Sequence, residues 1–349
     1  FNIIYSSGTT GLPKGIVQTH RARVHWAVSN ALEMGIGSRS RGLTTTSLYS
    51  NGTWLVMLPV LFAGGTLVVM SSFDTNGFLQ TVARERITHT FMVPTQLVML
   101  VDADHVRRHD TSSLQVVLSA GSPLRQDTKR QVIEQFGEKL IELYGFSEGF
   151  GSMLKPEFHA RKPDSVGTPV IGFEMRIIDD AGRPVAPGQA GEIVGYGAGM
   201  MKGYHGQPEA TAALIWRDEF GRSFMRSGDI GVVDEDGFLK IVDRKKDMII
   251  SGGFNVFASD IESVIVQHPA VGDAAVIGVP HAKWGETPLA VVALRQGAVS
   301  TAHEIAEWAN QRLAKHQRIF AVELLAEFPR NALGKVLKRV LRERFGKVP

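Results

Sequence analysis

A segment rich in glycine and hydroxyl residues near the start of the chain has the composition of a phosphate-binding loop. It reads Ser6-Ser7-Gly8-Thr9-Thr10-Gly11-Leu12-Pro13-Lys14-Gly15 and follows an apolar, strand-like run. Glycines let the backbone approach an anion closely, hydroxyl and amide groups donate hydrogen bonds to phosphate oxygens, and Lys14 adds a positive charge. The Walker A pattern is not met. A flexible linker is the plain alternative, but a strand before it and Pro-Lys at its end are unusual for a linker. The segment therefore predicts a polyphosphate site.

Several later segments combine glycine with charged or hydroxyl residues. In chain order they are Ala120-Gly121-Ser122-Pro123-Leu124, Tyr144-Gly145-Phe146-Ser147-Glu148, Arg226-Ser227-Gly228-Asp229, Asp243-Arg244-Lys245-Lys246-Asp247, Ser251-Gly252-Gly253-Phe254-Asn255 and Pro329-Arg330-Asn331-Ala332-Leu333-Gly334-Lys335. Taken singly, each has an ordinary interpretation, such as a turn aspartate, a solvated charge run, a Gly-Gly turn or a surface lysine beside a basic helix. Their order along one chain is what favours a functional interpretation.

Together these segments resemble the signature motifs of the adenylate-forming superfamily, which contains acyl-CoA synthetases, adenylation domains of peptide synthetases, and luciferases. The resemblance covers essentially the whole chain. It implies that the protein activates a carboxylic acid with ATP as an acyl-adenylate, releases pyrophosphate, and passes the acyl group to the thiol of coenzyme A. A carboxylate is already ionised at neutral pH, so its attack on the α-phosphate needs positioning and charge neutralisation rather than a general base.

The resemblance assigns the nucleotide contacts of the first half of the chain. The loop residues Ser6, Ser7, Gly8, Thr9, Thr10, Gly11 and Lys14 would hold the phosphates of ATP. Tyr144 and Gly145 would lie at the adenine, Ser147 would contact the α-phosphate, and Glu148 would bind Mg²⁺. Mg²⁺ keeps phosphate and water oxygens as most of its ligands, so a single carboxylate suffices. Gly121, Ser122 and Pro123 resemble the adenine-side loop of the family, although a turn before a helix describes them equally well.

In the second half, the resemblance implies that Asp229 and Arg244 bind the ribose and that Lys246 is the hinge between two domains. Lys335 would bridge the attacking carboxylate and the α-phosphate. Rotation about Lys246 would then exchange Lys335 for the loop at Gly252 and Gly253.

Two adjacent glycines leave room for a thin chain such as phosphopantetheine, which favours thioester formation. The proline and glutamate that usually follow this loop are replaced here by Ala258 and Asp260. A plain Gly-Gly turn is the alternative.

The segment Ser47-Leu48-Tyr49-Ser50-Asn51-Gly52 bears on the acyl substrate. Many acyl-activating members of the superfamily have a histidine at the position of Ser50, whereas amino-acid-activating members have an aspartate in this region to pair with the substrate ammonium. Tyr49, Ser50 and Asn51 offer no such charge. We therefore expect an uncharged acyl tail, with a fatty acid first and an aryl or short-chain acid second.

Other members of the superfamily carry a long stretch before the glycine-rich loop, and this chain begins at Phe1. We expect a truncated or processed chain. An inactive nucleotide-binding fragment is therefore one alternative to an acyl-CoA synthetase. An acyl-AMP ligase that loads a carrier protein is a second, and luciferase-type oxidation is a remote third.

The elements that must position these residues follow from the hydrophobic patterning. Up to about residue 150, strand patterns alternate with helical patterns, which predicts a helix-covered, largely parallel sheet. Residues 165–243 have short strands separated by glycine-containing turns, which predicts an antiparallel region, such as a small barrel. The expected fold is α/β, with a large domain over residues 1–243 and a small, mobile α+β domain over residues 244–349.

Composition excludes several other classes of protein. The net charge of +3 is small for 349 residues, so nucleic acid is not implied as a partner. An apolar run of about 18 residues is needed to span a bilayer. The nearest candidate, Trp54 to Met70, is broken by proline and glycines and reads as a buried helix and strand. The absence of cysteine suits a reducing compartment, and we expect the cytoplasm.

Overall fold

The computed structural model describes residues 1–6, 13–103, 108–330 and 334–346. Contacts divide the chain into two compact units. The N-terminal unit comprises Phe1–Ser227 and Val232–Lys240, and the C-terminal unit comprises Gly228–Gly231 and Ile241–Pro349. The predicted domain boundary at residues 243 and 244 and the hinge role of Lys246 stay predictions.

Among the described residues, fifteen strands precede the 3-10 helix at Lys245–Asp247. They are β1 (Asn2–Ser6), β2 (Lys14–Gln18), β3 (Arg41–Thr44), β4 (Thr66–Val69), β5 (His89–Met92), β6 (Val116–Ser119), β7 (Leu140–Gly145), β8 (Gly151–Leu154), β9 (Thr168–Pro169), β10 (Phe173–Ile178), β11 (Gly191–Gly197), β12 (Gly203–Tyr204), β13 (Ile215–Arg217), β14 (Ser223–Val233) and β15 (Leu239–Arg244). The α-helices of the same region are α1 (His20–Met34), α2 (Trp54–Phe62), α3 (Thr75–Glu85), α4 (Pro94–Val101), α5 (Gln126–Phe136) and α6 (Pro208–Ala213).

A seven-stranded sheet with the order β4-β3-β5-β6-β7-β8-β9 is the framework of the N-terminal unit. Strands β4, β3, β5, β6 and β7 pair in parallel, and β8 and β9 are antiparallel to their neighbours. Helices α3, α4 and α5 bury Phe78, Leu97 and Phe136 in the apolar cluster that contains Val117 of the sheet. The predicted helix-covered, largely parallel sheet is confirmed. Because parallel strands end at the same edge, the loops after β5, β6 and β7 lie together.

Two smaller sheets involve the remaining strands of this region. One is the three-stranded sheet β1-β2-β12. The other has the order β10-β11-β14-β13 with β15 paired to β14, and its pairs β10–β11 and β13–β14 are antiparallel, as the turn-rich sequence predicts. Strands β9 and β12 lie in the same stretch of sequence, but β9 joins the seven-stranded sheet and β12 joins the three-stranded sheet. This region therefore connects three sheets.

The C-terminal unit has the predicted α+β composition. Its further strands are β16 (Ile249–Ser251), β17 (Phe254–Val256), β18 (Val271–His281), β19 (Gly285–Leu294) and β20 (Ala321–Leu324). Its helices are α7 (Ala258–Ile265), α8 (Ala302–Asn310) and α9 (Lys338–Phe345). The sheet order is β17-β16-β19-β18, with β20 parallel to β19.

Both faces of this sheet are covered. Val276 of β18 packs in one apolar cluster with Ile261 of α7 and Ile305 of α8. Its neighbour Ile277 packs in the other cluster with Leu341 of α9. Successive strand residues point to opposite faces, which is why adjacent positions of β18 serve different cores.

Candidate active site

The two ends of the predicted phosphate loop are held together by strand pairing. Strands β1 and β2 form an antiparallel hairpin in which Ser6 pairs with Lys14. Of the predicted phosphate contacts, Ser7, Gly8, Thr9, Thr10 and Gly11 lie outside the described residues. Strand β2 also pairs with β12, and the amide N–H of His205 donates to the carbonyl of Gly15 at 2.7 Å. The base of the loop is therefore anchored in a three-stranded sheet.

Ser147 and Glu148 lie in the tight turn between β7 and β8. The amide of Gly149 donates to the carbonyl of Phe146 at 3.0 Å and closes the turn. Gly149 has φ of +131°, and a Cβ there would lie 2.4 Å from the carbonyl oxygen of Gly199, so only glycine fits. Tyr144 occupies the last part of β7, beside this turn.

Two hydrogen bonds bring this turn to the residues that follow the phosphate loop, and a third connects it to the segment before β12. Gln18 of β2 donates to the carbonyl of Ser147 at 3.2 Å, across 129 positions of sequence. The indole of Trp26 donates to the carbonyl of Gly149 at 3.2 Å, and the amide of Met201 donates to the carbonyl of Glu148 at 2.6 Å. The structure therefore brings Ser147 and Glu148 to β2 and α1, as a common nucleotide site requires.

Tyr204 of β12 contacts both Glu148 and Lys14, although it lies outside the predicted motifs. Its hydroxyl donates to Oε1 of Glu148 at 2.5 Å, and Nζ of Lys14 lies 4.8 Å from its ring centroid. Burial and the negative charge of Glu148 raise the pKa of Tyr204 far above its usual value, so the phenol stays protonated and donates. A single tyrosine before a helix has no chemical signature, and only the fold shows its two partners.

The predicted adenine-side loop lies at the same sheet edge as Tyr144. Ser119, the last residue of β6, pairs with Glu142 of β7, so Gly121, Ser122 and Pro123 follow β6 beside Tyr144. Gly121 has φ of +97°, which allows the chain to turn sharply at this edge.

A second group of predicted residues lies within the C-terminal unit. Nε of Arg244 is 3.6 Å from Oδ1 of Asp229. Burial lowers the pKa of Lys335 to about 8; the cations Arg244 and Lys246 lower it as well, while the carboxylates of Asp229 and Asp247 oppose the shift. Electrostatic coupling of this kind requires proximity. Asp229, Arg244 and Lys246 thus form one charged cluster with Lys335, which comes much later in the chain.

Lys246 lies in the short 3-10 helix between β15 and β16. Burial lowers its pKa, and the nearby Arg244 adds to the effect. The next residue, Asp247, accepts a hydrogen bond from Arg342 of α9 at 2.6 Å. The segment that carries the predicted hinge is therefore tied to the last helix of the described chain.

Gly252 and Gly253 form the turn of the β16–β17 hairpin. Ser251 pairs with Phe254 across them, and both glycines have positive φ, +57° and +84°, as in a type I′ turn. A Cβ on Gly252 would lie 2.9 Å from the ring of Trp284. The backbone thus explains both glycines as a turn, and their contact with a thiol substrate stays a prediction.

The predicted acyl segment contacts a buried cation, Arg23, that lies outside the predicted motifs. Nη2 of Arg23 donates to Oδ1 of Asn51 at 2.9 Å, and Nε donates to Oδ1 of Asn2 at 3.1 Å. Arg23 is 2% exposed, and its guanidinium carbon lies 4.7 Å from the ring centroid of Trp26 and 5.5 Å from that of Trp54. Its burial among neutral partners lowers its pKa to about 10, so it is still charged at neutral pH.

The chemistry of the described residues fits a magnesium ion held mainly by a nucleotide. In the described ranges, no group of three or more histidine, cysteine or acidic residues is arranged to hold a metal. Glu148, with one carboxylate oxygen engaged by Tyr204, offers a single ligand. Mg²⁺ bound to phosphates and water needs no more.

The described helices include none that is long and apolar enough to cross a membrane.

Comparison with known proteins agrees with this geometry. The sequence profile of the AMP-binding enzyme family matches residues 1–205, and that of the AMP-binding enzyme C-terminal domain matches residues 260–335. A feruloyl-CoA synthase from an Amycolatopsis species is 38% identical over 99% of this chain and 70% of its own length. The medium/long-chain-fatty-acid–CoA ligase FadD8 of Mycobacterium tuberculosis is 33% identical over 98% of this chain and 61% of its own length.

Among solved structures, the o-succinylbenzoate CoA synthetase of Bacillus subtilis in complex with its acyl-adenylate intermediate has a TM-score of 0.87. It is 32% identical, and the match covers 97% of this chain and 68% of that one. The fold, the order of the motifs and these relatives agree, and the chain belongs to the AMP-binding enzyme family, among the acyl-CoA ligases.

Proposed function

We propose that this chain is an ATP-dependent acid–thiol ligase that forms an acyl-adenylate, releases pyrophosphate and transfers the acyl group to coenzyme A. The observation that carries the proposal is the contact of Tyr204 with both Lys14 and Glu148. It brings the cation at the end of the phosphate loop to the carboxylate of the β7–β8 turn. A site for a nucleoside triphosphate requires a cation that binds the phosphates and a carboxylate that binds the metal ion on those phosphates.

Lys335 is the cation proposed for the first half-reaction. The family resemblance assigns it the bridge between the attacking carboxylate oxygen and the α-phosphate. With a pKa of about 8, it carries a positive charge on most molecules at neutral pH. A charge that is already in place stabilises the negative charge that develops during attack without costly reorganisation. In this proposal Asp229 and Arg244 hold the ribose.

Glu148 is the residue proposed to hold Mg²⁺, which when bound neutralises charge on the phosphates. Its backbone is fixed by Met201 and its side chain by Tyr204. Ser147 and Lys14 would donate to phosphate oxygens next to it. All of these contacts lie in the N-terminal unit.

For the second half-reaction we propose that the Gly252–Gly253 turn admits the phosphopantetheine arm of coenzyme A after rotation about Lys246. Thioester formation breaks the bond between the acyl carbon and the adenylate oxygen, with AMP as the leaving group. The main support is that the curated relatives named above are coenzyme A ligases or synthases. A carrier protein with the same arm is the alternative acceptor.

The proposed substrate is an acid with an uncharged tail. Asn51, in the segment assigned to the acyl pocket, accepts its hydrogen bond from the buried cation Arg23. A substrate ammonium near this point would be repelled, which disfavours amino acids. A fatty acid is the first candidate, as for FadD8. An aromatic acid is the second, because the feruloyl-CoA synthase is more similar and because Trp26 and Trp54 flank Arg23.

The test is acid-dependent release of pyrophosphate from ATP and Mg²⁺, over a panel of fatty, aryl and amino acids. Each acid is assayed alone, with coenzyme A, and with a phosphopantetheine-bearing carrier protein. Release with one class of acid, and a thioester only when coenzyme A is present, would support the proposal. Thioester on the carrier alone would assign the other acceptor. Binding of ATP without release for any acid would indicate an inactive nucleotide-binding fragment.

A further inference from the structure

Lys14 and Glu148 carry opposite charges and both contact Tyr204, yet among the described residues no ion pair joins them. Each instead contacts a different part of Tyr204, Lys14 the face of its ring and Glu148 its hydroxyl. A direct ion pair would use the donors and acceptors that phosphate and metal need. Tyr204 gives each of the two side chains a contact and leaves both charges in place.

Tyr204 is held firmly enough to act in this way. It is 7% exposed and packs in an apolar cluster with Ile16, Met201 and Met225. Its amide donates to the hydroxyl of Thr211 at 2.9 Å, and its strand pairs with β2, where Tyr204 lies opposite Ile16. Ring and backbone are therefore fixed on several sides, and the position of the hydroxyl is set by the fold.

We propose that Tyr204 is a positioning residue for the nucleotide. It holds one oxygen of Glu148 so that the other is presented to the metal, and it keeps Lys14 directed at the phosphates. This inference rests on the proposed function. It assigns to Tyr204 no contact with substrate and no part in bond making.

The test replaces the phenol with a phenyl ring, Tyr204→Phe, which keeps the packing and removes only the hydroxyl. Binding of ATP is measured by calorimetry, once with Mg²⁺ and once with EDTA. We expect ATP to bind about tenfold more weakly in the presence of Mg²⁺, because one charge-assisted hydrogen bond is lost. In EDTA the affinity for ATP should change by less than about twofold. Tyr196→Phe is the matched control, because the ring of Tyr196 packs on Phe224 at 5.1 Å, away from the three residues of the proposal.

Equal affinity of Tyr204→Phe and the unchanged protein for ATP with Mg²⁺ would overturn the inference. An equal loss with Mg²⁺ and with EDTA would also overturn it, because the hydroxyl would then act on the fold and not through Glu148. Failure of the unchanged protein to bind ATP at all would be a failure of the proposed function.

A double-mutant cycle tests the pairing without nucleotide. The free energy of unfolding is measured for Tyr204→Phe, Glu148→Ala and the double variant. If the two side chains interact, the double variant loses less stability than the sum of the single losses. Additive losses would overturn the inference whatever the nucleotide measurements show.

Discussion

Raising the pH from 7 to 9 should abolish most of the first half-reaction by removing the charge of Lys335. Burial, with help from Arg244 and Lys246, places the pKa of this ammonium at about 8, below its ordinary value. A group with a lowered pKa is charged below that pH and loses its proton as the pH rises through it. The charged fraction falls from about nine-tenths at pH 7 to about one-tenth at pH 9. The rate that needs this charge should therefore fall about tenfold.

The assay is pyrophosphate release at low ATP and acid, so that kcat/KM reports the protonation of the unliganded enzyme. Bound phosphates favour the ammonium, so the decline in kcat should lie at higher pH than the decline in kcat/KM. Thioester formation from preformed acyl-adenylate, in which the proposal gives Lys335 no role, should show no such decline. In Lys335→Arg the guanidinium stays charged beyond pH 9, so its residual rate should stay level. A level kcat/KM up to pH 9.5 in the unchanged protein would refute the reasoning, as would an equal decline in Lys335→Arg.

Three further predictions concern single side chains. Lys335→Ala should slow adenylation by about 10²–10³-fold, the usual cost of losing one charge-stabilising donor, while thioester formation from added acyl-adenylate changes little; equal loss of both half-reactions would contradict the assignment. Glu148→Gln should raise the Mg²⁺ and ATP concentrations needed for pyrophosphate release about tenfold. The free energy of unfolding should change by less than about 1 kcal/mol, because the amide oxygen can still accept a hydrogen bond from Tyr204. Unfolding of this variant would indicate a structural role instead. Arg23→Met should cost about 1–3 kcal/mol in urea denaturation, because it leaves the side-chain oxygens of Asn2 and Asn51 without their donor. Arg21→Met, at an exposed neighbouring position, is its control and should cost less than about 0.5 kcal/mol.

Local patterns predicted the helices and strands well, because hydrophobic periodicity and the residue types of turns are properties of short segments. The helix and strand expected within Trp54 to Met70 are α2 and β4, although β4 lies at the sheet edge and its residues Thr66 and Val69 are exposed. The alternation up to residue 150 yields the parallel strands β3, β5, β6 and β7. The distribution of β9, β12 and β14 among three sheets had no such local signal. Pairing partners are chosen by packing over long sequence distances, which a pattern of turns does not encode.

For the site, the sequence by itself determined the class of chemistry and the family. The order of the glycine-rich loop, the Glu148 turn, Asp229 and Lys335 predicted an ATP-dependent acyl ligase, and the comparisons confirm the family. Motifs can predict such residues because nucleotide chemistry restricts the types of side chain that it can use.

Only the tertiary structure decided the surroundings of those residues. Tyr204 meets Glu148 across 56 positions of sequence, and Arg23 meets Asn51 across 28. The lowered pKa of Lys335 likewise depends on Arg244 and on burial, neither of which a one-dimensional pattern contains. Charge, hydrogen bonding and desolvation act through space, so their strength is set by the distances and burial that the fold creates.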